Sequence, residues 1–317
     1  MPVLQEAEAY NKLSDFAGDN MMNRAEETPT VLGLLPDLLL STMQLQLDAL
    51  PLVKREGILL LSDNTESNQS RWISSISADD LPRIILLQGY RNIFSSDFKR
   101  NYRDLYSSSM AENSRDFAYL NFRDPLGNYS VLGINPLVFA VDNAGLKEQR
   151  CAIPRSWADL IDSSFSGKID LSGLDMSSLE SIYLHVHKIY GIDKAVSVAA
   201  SFKSNRECPI SILPYSLARN RVKKSSVSIV WPSDGAVIVP IFLLVKSQLP
   251  QELDFIHNWL TSASLGASLS SSFFPSMHPA VDSRLPSNVL LSWLGWDYLL
   301  STDPDQTLAS IKSSIGD

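Results

Sequence analysis

The stretch VWPSDGAVIVPIFLLVKSQ, Val230–Gln248, constrains the fold more than any other. Its apolar part, AVIVPIFLLV, is about ten residues long, half of what a membrane-spanning helix needs, so it belongs in a protein core. A tight polar turn, Pro232-Ser233-Asp234-Gly235, stands directly before it, and the strand-like SVSIVW stands before the turn. Such a turn closes a hairpin or carries the chain from one part of the molecule to another.

Other segments repeat the pattern of a short apolar run ending abruptly in a polar loop. EGILLLSDNTESNQ does so after Leu61, and DLPRIILLQGYRN after Leu87. Further along come SVLGINPLVFAVD and GKIDLSG as strands, SSLESIYLHVHKIYG as an amphipathic helix, and ISILPYSLARN as a strand running into a helix. SDFKRNYRDLYSSSM and PRSWADLID read as further helices. This alternation predicts a layered α/β protein with mainly parallel strands. Before it, residues 1–50 read as helix: Leu recurs at three- and four-residue spacing in TPTVLGLLPDLLLSTMQLQLDAL, with Pro36 as a break.

At 317 residues the chain exceeds what one hydrophobic core usually serves, which predicts two domains or lobes. A hydrophobic fraction of 44% supplies ample core material. The net charge of -8 argues against nucleic acid or an anionic membrane surface as a partner, because both need a basic face to displace counterions. Cys151 and Cys208, far apart and each outside a CxxC pair, are too few for a metal–thiolate cluster. No secretory signal is visible in MPVLQEAEAYNKLSDFAGDN, so the chain is expected to be soluble and cytoplasmic, or extracytoplasmic if a leader was removed.

Three segments carry a resemblance. IPRSWADLIDSSFSGKI, through Pro154, Trp157, Asp159, Leu160, Phe165, Gly167, Lys168 and Ile169, resembles a segment of the extracellular solute-binding proteins of the iron(III) and polyamine type, in the type II periplasmic-binding-protein superfamily. The opening stretch is similar to a second segment of that family through Trp231, Pro232, Asp234, Gly235, Ala236, Pro240, Leu243, Leu244, Val245 and Lys246. FFPSMHPAVDSRLPSNVLLSWLGWDYL looks like the carboxyl-terminal stretch of a subgroup without secretion signals. The adjacent tyrosine pair that marks ferric binders is missing, for in LPYSLARN only Tyr215 stands.

The resemblance implies a two-lobed fold with crossing strands, a ligand held in the cleft and closure by hinge bending. It implies one lobe from residues 51–135 plus 236–300, a second from 136–235, a helical extension over 1–50 and a tail over 301–317. The Pro232–Gly235 turn would then lie at the return crossing and bring Asp234 and the Gly235 amide to the cleft; a connection without ligand contact is the other reading.

Open α/β sheets bind ligands beyond the carboxyl ends of their strands. That rule selects Ser62, Asp63 and Asn64 after one strand, Gly89, Tyr90 and Arg91 after the next, Asn135 near the crossing, Ser177 and Ser178 at a helix start, and Tyr215. The Ser and Asn residues among them read equally as caps and turn formers. His185 and His187 alternate on a helix and so face different ways, which is wrong for joint metal ligation. No GxSxG, HExxH or P-loop motif occurs, and Trp293, Trp296 and Tyr298 read as packing of a final segment. The expectation is a binding protein without catalysis or cofactor. Its ligand is a small polar solute, whether metal ion, oxyanion or polyamine, and its protein partner an ABC permease. The alternative is a cytoplasmic sensor acting through its helical N-terminal segment on a protein partner.

Overall fold

The computed structural model describes residues 29–48, 57–62, 77–110, 114–161, 165, 167–201, 208–222 and 226–315. Among them lie ten strands and eleven α-helices. In one half of the sheet, β1 (Val31–Leu35) lies between β2 (Ile58–Ser62) and β3 (Ile84–Gln88) and runs parallel to both.

β1 corrects the helical reading of residues 1–50. VLGLL is a short apolar run buried along its whole length, and in so short a run the spacing of leucines does not separate helix from strand. Its side chains alternate between two cores: Val31 and Leu35 join one cluster, Leu32 and Leu34 the other. Pro36 follows as the hinge between strand and helix, accepting from Leu40 N–H at 2.8 Å, and α1 (Asp37–Asp48) is the only part of the described stretch that is helical. Residues 1–28 lie outside the described residues.

Two long strands organise the rest. β5 (Ser130–Asp142) pairs through Ser130–Pro136 with β9 (Ala236–Lys246), then through Leu137–Asp142 with β7 (Ile210–Pro214) and β8 (Val227–Val230). β9 in turn pairs with β3, so the order runs β2-β1-β3-β9-β5-β7-β6, where β6 is Ile169–Asp170. β5 and β9 run antiparallel to each other, and β9 also to β3. The parallel pairs are β1 with β2 and β3, β6 with β7, and β9 with the short β10 (Leu291–Ser292). The sheet is therefore mixed rather than mainly parallel, because the two strands that link its halves traverse it in opposite directions.

Helices cover both faces. Over one face α1, α8 (Asp254–Leu260) and α9 (Ala263–Ser271) bury Leu39, Met43, Ile256, Leu260, Leu265 and Leu269 against Ile84, Leu86, Ile241 and Leu243. Over the other, Phe94, Tyr129, Phe242 and Trp296 form one aromatic stack, with Phe94 and Tyr129 4.7 Å apart. Trp293 and Trp296 pack edge to face at 5.3 Å and donate their indole N–H groups to the carbonyls of Leu120 and Asn121. They anchor the final segment, including α10 (Gly295–Ser301).

Residues 301–317 do not form the expected tail. Pro304–Ile315 is a helix, α11, whose Pro304, Leu308 and Ile311 are buried where it packs on α5 (Met176–Tyr190) and α6 (Ile192–Ser201). Pro304 at its first position and apolar residues at i, i+4 and i+7 supply the local reason.

Candidate functional site

A cavity of about 300 Å³ opens where the halves of the sheet meet. Three strand-to-helix junctions supply its wall: Pro36-Asp37-Leu38 after β1, Ser172–Asp175 between β6 and α5, and Pro214, Ser216 and Leu217 where β7 enters α7 (Tyr215–Val222). Asn135 on β5 and Phe274 complete it. Each junction is the carboxyl end of a parallel strand, where side chains and free helix amides face outward instead of into the ladder.

The polar groups here are ordered by a chain of hydrogen bonds. Asp175 caps α5, Oδ1 accepting from Ser178 N–H at 2.7 Å. Its Oδ2 accepts from Gln88 Nε2 at 3.1 Å, and Gln88 Oε1 accepts from Asn135 Nδ2 at 3.3 Å. Asn135 Oδ1, on a side chain 1% exposed, has no hydrogen-bond partner. Burial pushes the Asp175 carboxyl above its ordinary range against the bonds from Ser178 and Gln88, and the Asp37 carboxylate pushes it the same way. Asp37 is exposed and accepts from Ser62 Oγ at 2.6 Å.

Of the residues selected from sequence, Asn135 lines the cavity and Ser62 reaches its rim through Asp37. Gly89, Ser177 and Ser178 stand just behind the wall, where β3 meets the start of α5. Ser177 Oγ donates to the Gln88 carbonyl at 3.1 Å, and a Cβ at Gly89, whose φ is +88°, would lie 2.9 Å from Ser177 Cβ. Ser178 is fully buried, with its hydroxyl unpartnered. Asp63 and Asn64 lie outside the described residues.

The remaining selections turn away from the cavity. Tyr90 is buried and donates to the Ile238 carbonyl at 3.2 Å, and burial raises its hydroxyl far above its ordinary value. Arg91 sits between buried Glu180 of α5, at 3.5 Å, and Asp305 of α11, at 3.7 Å. Tyr215 is 5% exposed, packed on Trp231 at 4.8 Å and Phe273 at 5.7 Å, so that its neighbours Pro214 and Ser216 face the cavity in its place. Asp234 receives the N–H groups of Trp157 and Ala158 at 3.0 and 3.2 Å, capping α4 (Trp157–Ile161). The Gly235 carbonyl accepts from Trp157 Nε1 at 3.1 Å. The turn at Pro232–Gly235 thus seats a helix, and neither Asp234 nor Gly235 is among the lining residues.

Asp37, Ser172, Asp175 and Ser216 line the cavity and Gln88 joins its hydrogen-bond chain, none of them selected from the sequence. Asp37 follows an apolar run that the leucine spacing assigns to a helix. Asp175 carries a readable cap signal, an Asp three residues before Ser178 in LDMSS, that the serines beside it overshadow.

The histidines play no joint role. His185 is buried near Trp157, and burial lowers its pKa to about 4, with Lys188 pushing the same way. His187 Nδ1 lies 2.8 Å from Tyr298 Oη. Cys151 Sγ accepts from Lys168 Nζ at 2.9 Å, and Cys208 Sγ donates to the Gly167 carbonyl at 3.2 Å. Among the described residues no helix is long and apolar enough to cross a membrane.

The chain superposes on solved structures at low identity. It matches iron-bound HitA from Pseudomonas aeruginosa with a TM-score of 0.63 and 14% identity, over 92% of this chain and 100% of that one. It matches the periplasmic binding protein AfuA from Actinobacillus pleuropneumoniae, with fructose-6-phosphate bound, at 0.59 and 14%, over 91% and 97%. A structure described as a two-component system protein mediating signal transduction matches at 0.62 and 15%, over 90% and 100%. No curated protein matches the chain by sequence. The model of the bacterial extracellular solute-binding protein family matches residues 79–208 and 203–302, more than half of the chain. With that match and a two-lobed α/β fold, the chain belongs to the bacterial extracellular solute-binding protein family.

Proposed function

We propose that the cavity at Asn135 is the solute site and that the two lobes close on it by bending at β5 and β9. The observation that carries the reading is the meeting of three strand-to-helix junctions from both halves of the sheet around one polar cavity. β5 changes partners between Pro136 and Leu137, and β9 starts at Ala236. On this reading residues 29–136 and 236–302 form one lobe, and 137–235 with α11 form the other. The solute is small and polar, in keeping with the iron-bound and fructose-6-phosphate-bound relatives. It leaves unchanged, handed to an ABC permease by a chain working outside the cytoplasm.

A second reading, ligand sensing with the signal passed to a protein partner, draws on the likeness to the signal-transduction structure. Calorimetry over a panel of amines, oxyanions, sugar phosphates and metal ions, followed by small-angle scattering with and without the bound solute, tests the site and the closure together. A solute that binds with its affinity unmoved by substitutions at Asn135, Asp37 and Asp175 would refute the placement. Co-purification with a permease or with a signalling protein separates the two readings.

A further inference from the structure

We infer that this cavity takes its solute through a protonated amine, seated among Asn135, Asp37 and Asp175; the inference rests on the cavity being the solute site. Its starting point is the direction of the bonds from Asp175 to Asn135. Gln88 turns its NH₂ toward Asp175 Oδ2, while the other oxygen of that carboxyl accepts from Ser178 N–H. That leaves Gln88 Oε1 to face Asn135, and Asn135 must answer with its own NH₂. The group left over is an acceptor, Asn135 Oδ1, unpartnered on a side chain 99% removed from solvent. Buried acceptors are kept where something donates to them.

The charges point the same way. Two lining side chains are carboxylates, Asp37 from one half and Asp175 from the other, and among the described residues no Lys, Arg or His lines the cavity. Of the three helix starts that face it, α5 has its Ser178 amide turned to Asp175 and α1 bears Asp37 in its first turn, so at two of the three an anion meets negative charge. A metal ion fits poorly: no group of three or more His, Cys, Asp or Glu that could hold one occurs among the described residues, and Tyr215 turns away. An ammonium group needs no such set. It is a compact cation with three donors, and two carboxylates and an amide oxygen can satisfy it. A volume of about 300 Å³ suits a small amine.

The test is titration calorimetry of the full chain with 1,4-diaminobutane, 1,4-butanediol, inorganic phosphate and ferric citrate. The diamine is expected to bind and the diol, equal in length but uncharged, to be silent. Asp37→Asn, at an exposed position, and Asn135→Leu are each expected to weaken the diamine about tenfold or more, the loss of one charge-assisted bond. Circular dichroism verifies both folds, and Asp37→Asn keeps the test alive should Asn135→Leu unfold. Diamine binding unmoved by Asp37→Asn, or diol binding equal to the diamine, overturns the inference. Phosphate or ferric citrate bound without the diamine overturns the amine while leaving the solute site standing; silence from all four probes counts against both.

Discussion

Trp157 and Gly235 are joined by an indole N–H to carbonyl bond of 3.1 Å, and the backbone N–H of the same tryptophan lies 3.0 Å from Asp234 Oδ1. Two of the three segments that carry the family resemblance, those containing SWADL and WPSDGA, are therefore bonded to each other. Trp157, 2% exposed and edge-on to Phe139 at 5.1 Å, is the plug, and the turn is its socket.

Asp234→Ala should cost about 1–2 kcal/mol of stability, the loss of a helix cap, with solute affinity unchanged. Asp234→Asn, which keeps one acceptor oxygen, should cost less. Gly235→Val should be worse than either, because φ is +103° and the added Cβ would lie 3.0 Å from Ser292 Cβ and 3.2 Å from the Leu291 carbonyl carbon. Denaturant melts rank the three; a fall in affinity without a fall in stability would return the turn to the cleft.

Gly89→Ala should destabilise by about 1–3 kcal/mol through its left-handed φ and the 2.9 Å approach to Ser177 Cβ. Adding Ser177→Gly should restore the steric part and leave the backbone part. A double-mutant cycle whose coupling is zero would mean that the contact yields without cost.

Deleting residues 1–50 should abolish cooperative unfolding, because it removes β1 from between β2 and β3. Leu35→Ala, at a fully buried position, should cost about 2–5 kcal/mol by the same logic. A soluble, cooperatively melting 51–317 fragment would show that the first half of the sheet closes without its inner strand.

Stability should fall on acidification below pH 6.5. His185 is held neutral in the folded state, with its pKa lowered from 6.5 to about 4, so unfolding takes up a proton across that interval. The stability present above pH 6.5 is lost at up to about 1.4 kcal/mol per pH unit until about pH 4. His185→Met should flatten that limb in melts recorded from pH 7 to 4; an unchanged slope would assign acid sensitivity to other groups.

The sequence made much of the scaffold legible and little of the site. SVLGINPLVFAVD and AVIVPIFLLV read as strands because their apolar runs are continuous, and they emerged as β5 and most of β9. VLGLL did not, since five apolar residues beside a leucine-rich helix carry no period of their own. The cavity depends on which junctions the topology brings together, and no local pattern holds that. Asn135, selected for its place at a crossing, lines the cavity; Asp37 and Asp175, which line it too, come from strand ends far apart in the chain. Asp234 and Tyr215 stand off the cavity lining for different reasons: the turn residue holds its carboxylate on a helix start, and the aromatic packs behind the wall.

β5 also sets a schedule. Its first half finds its partner in β9 only after the chain has passed through the whole intervening segment, and its second half has β7 and β8 to hand sooner. On a ribosome the 137–230 region can gather around the second half of β5 while the first half still waits for residues 236–246. Asn135, next to the strand's change of partners, would be among the last polar groups to be enclosed. A solute site at this cavity would then become available only near the end of synthesis and stay inert on the nascent chain.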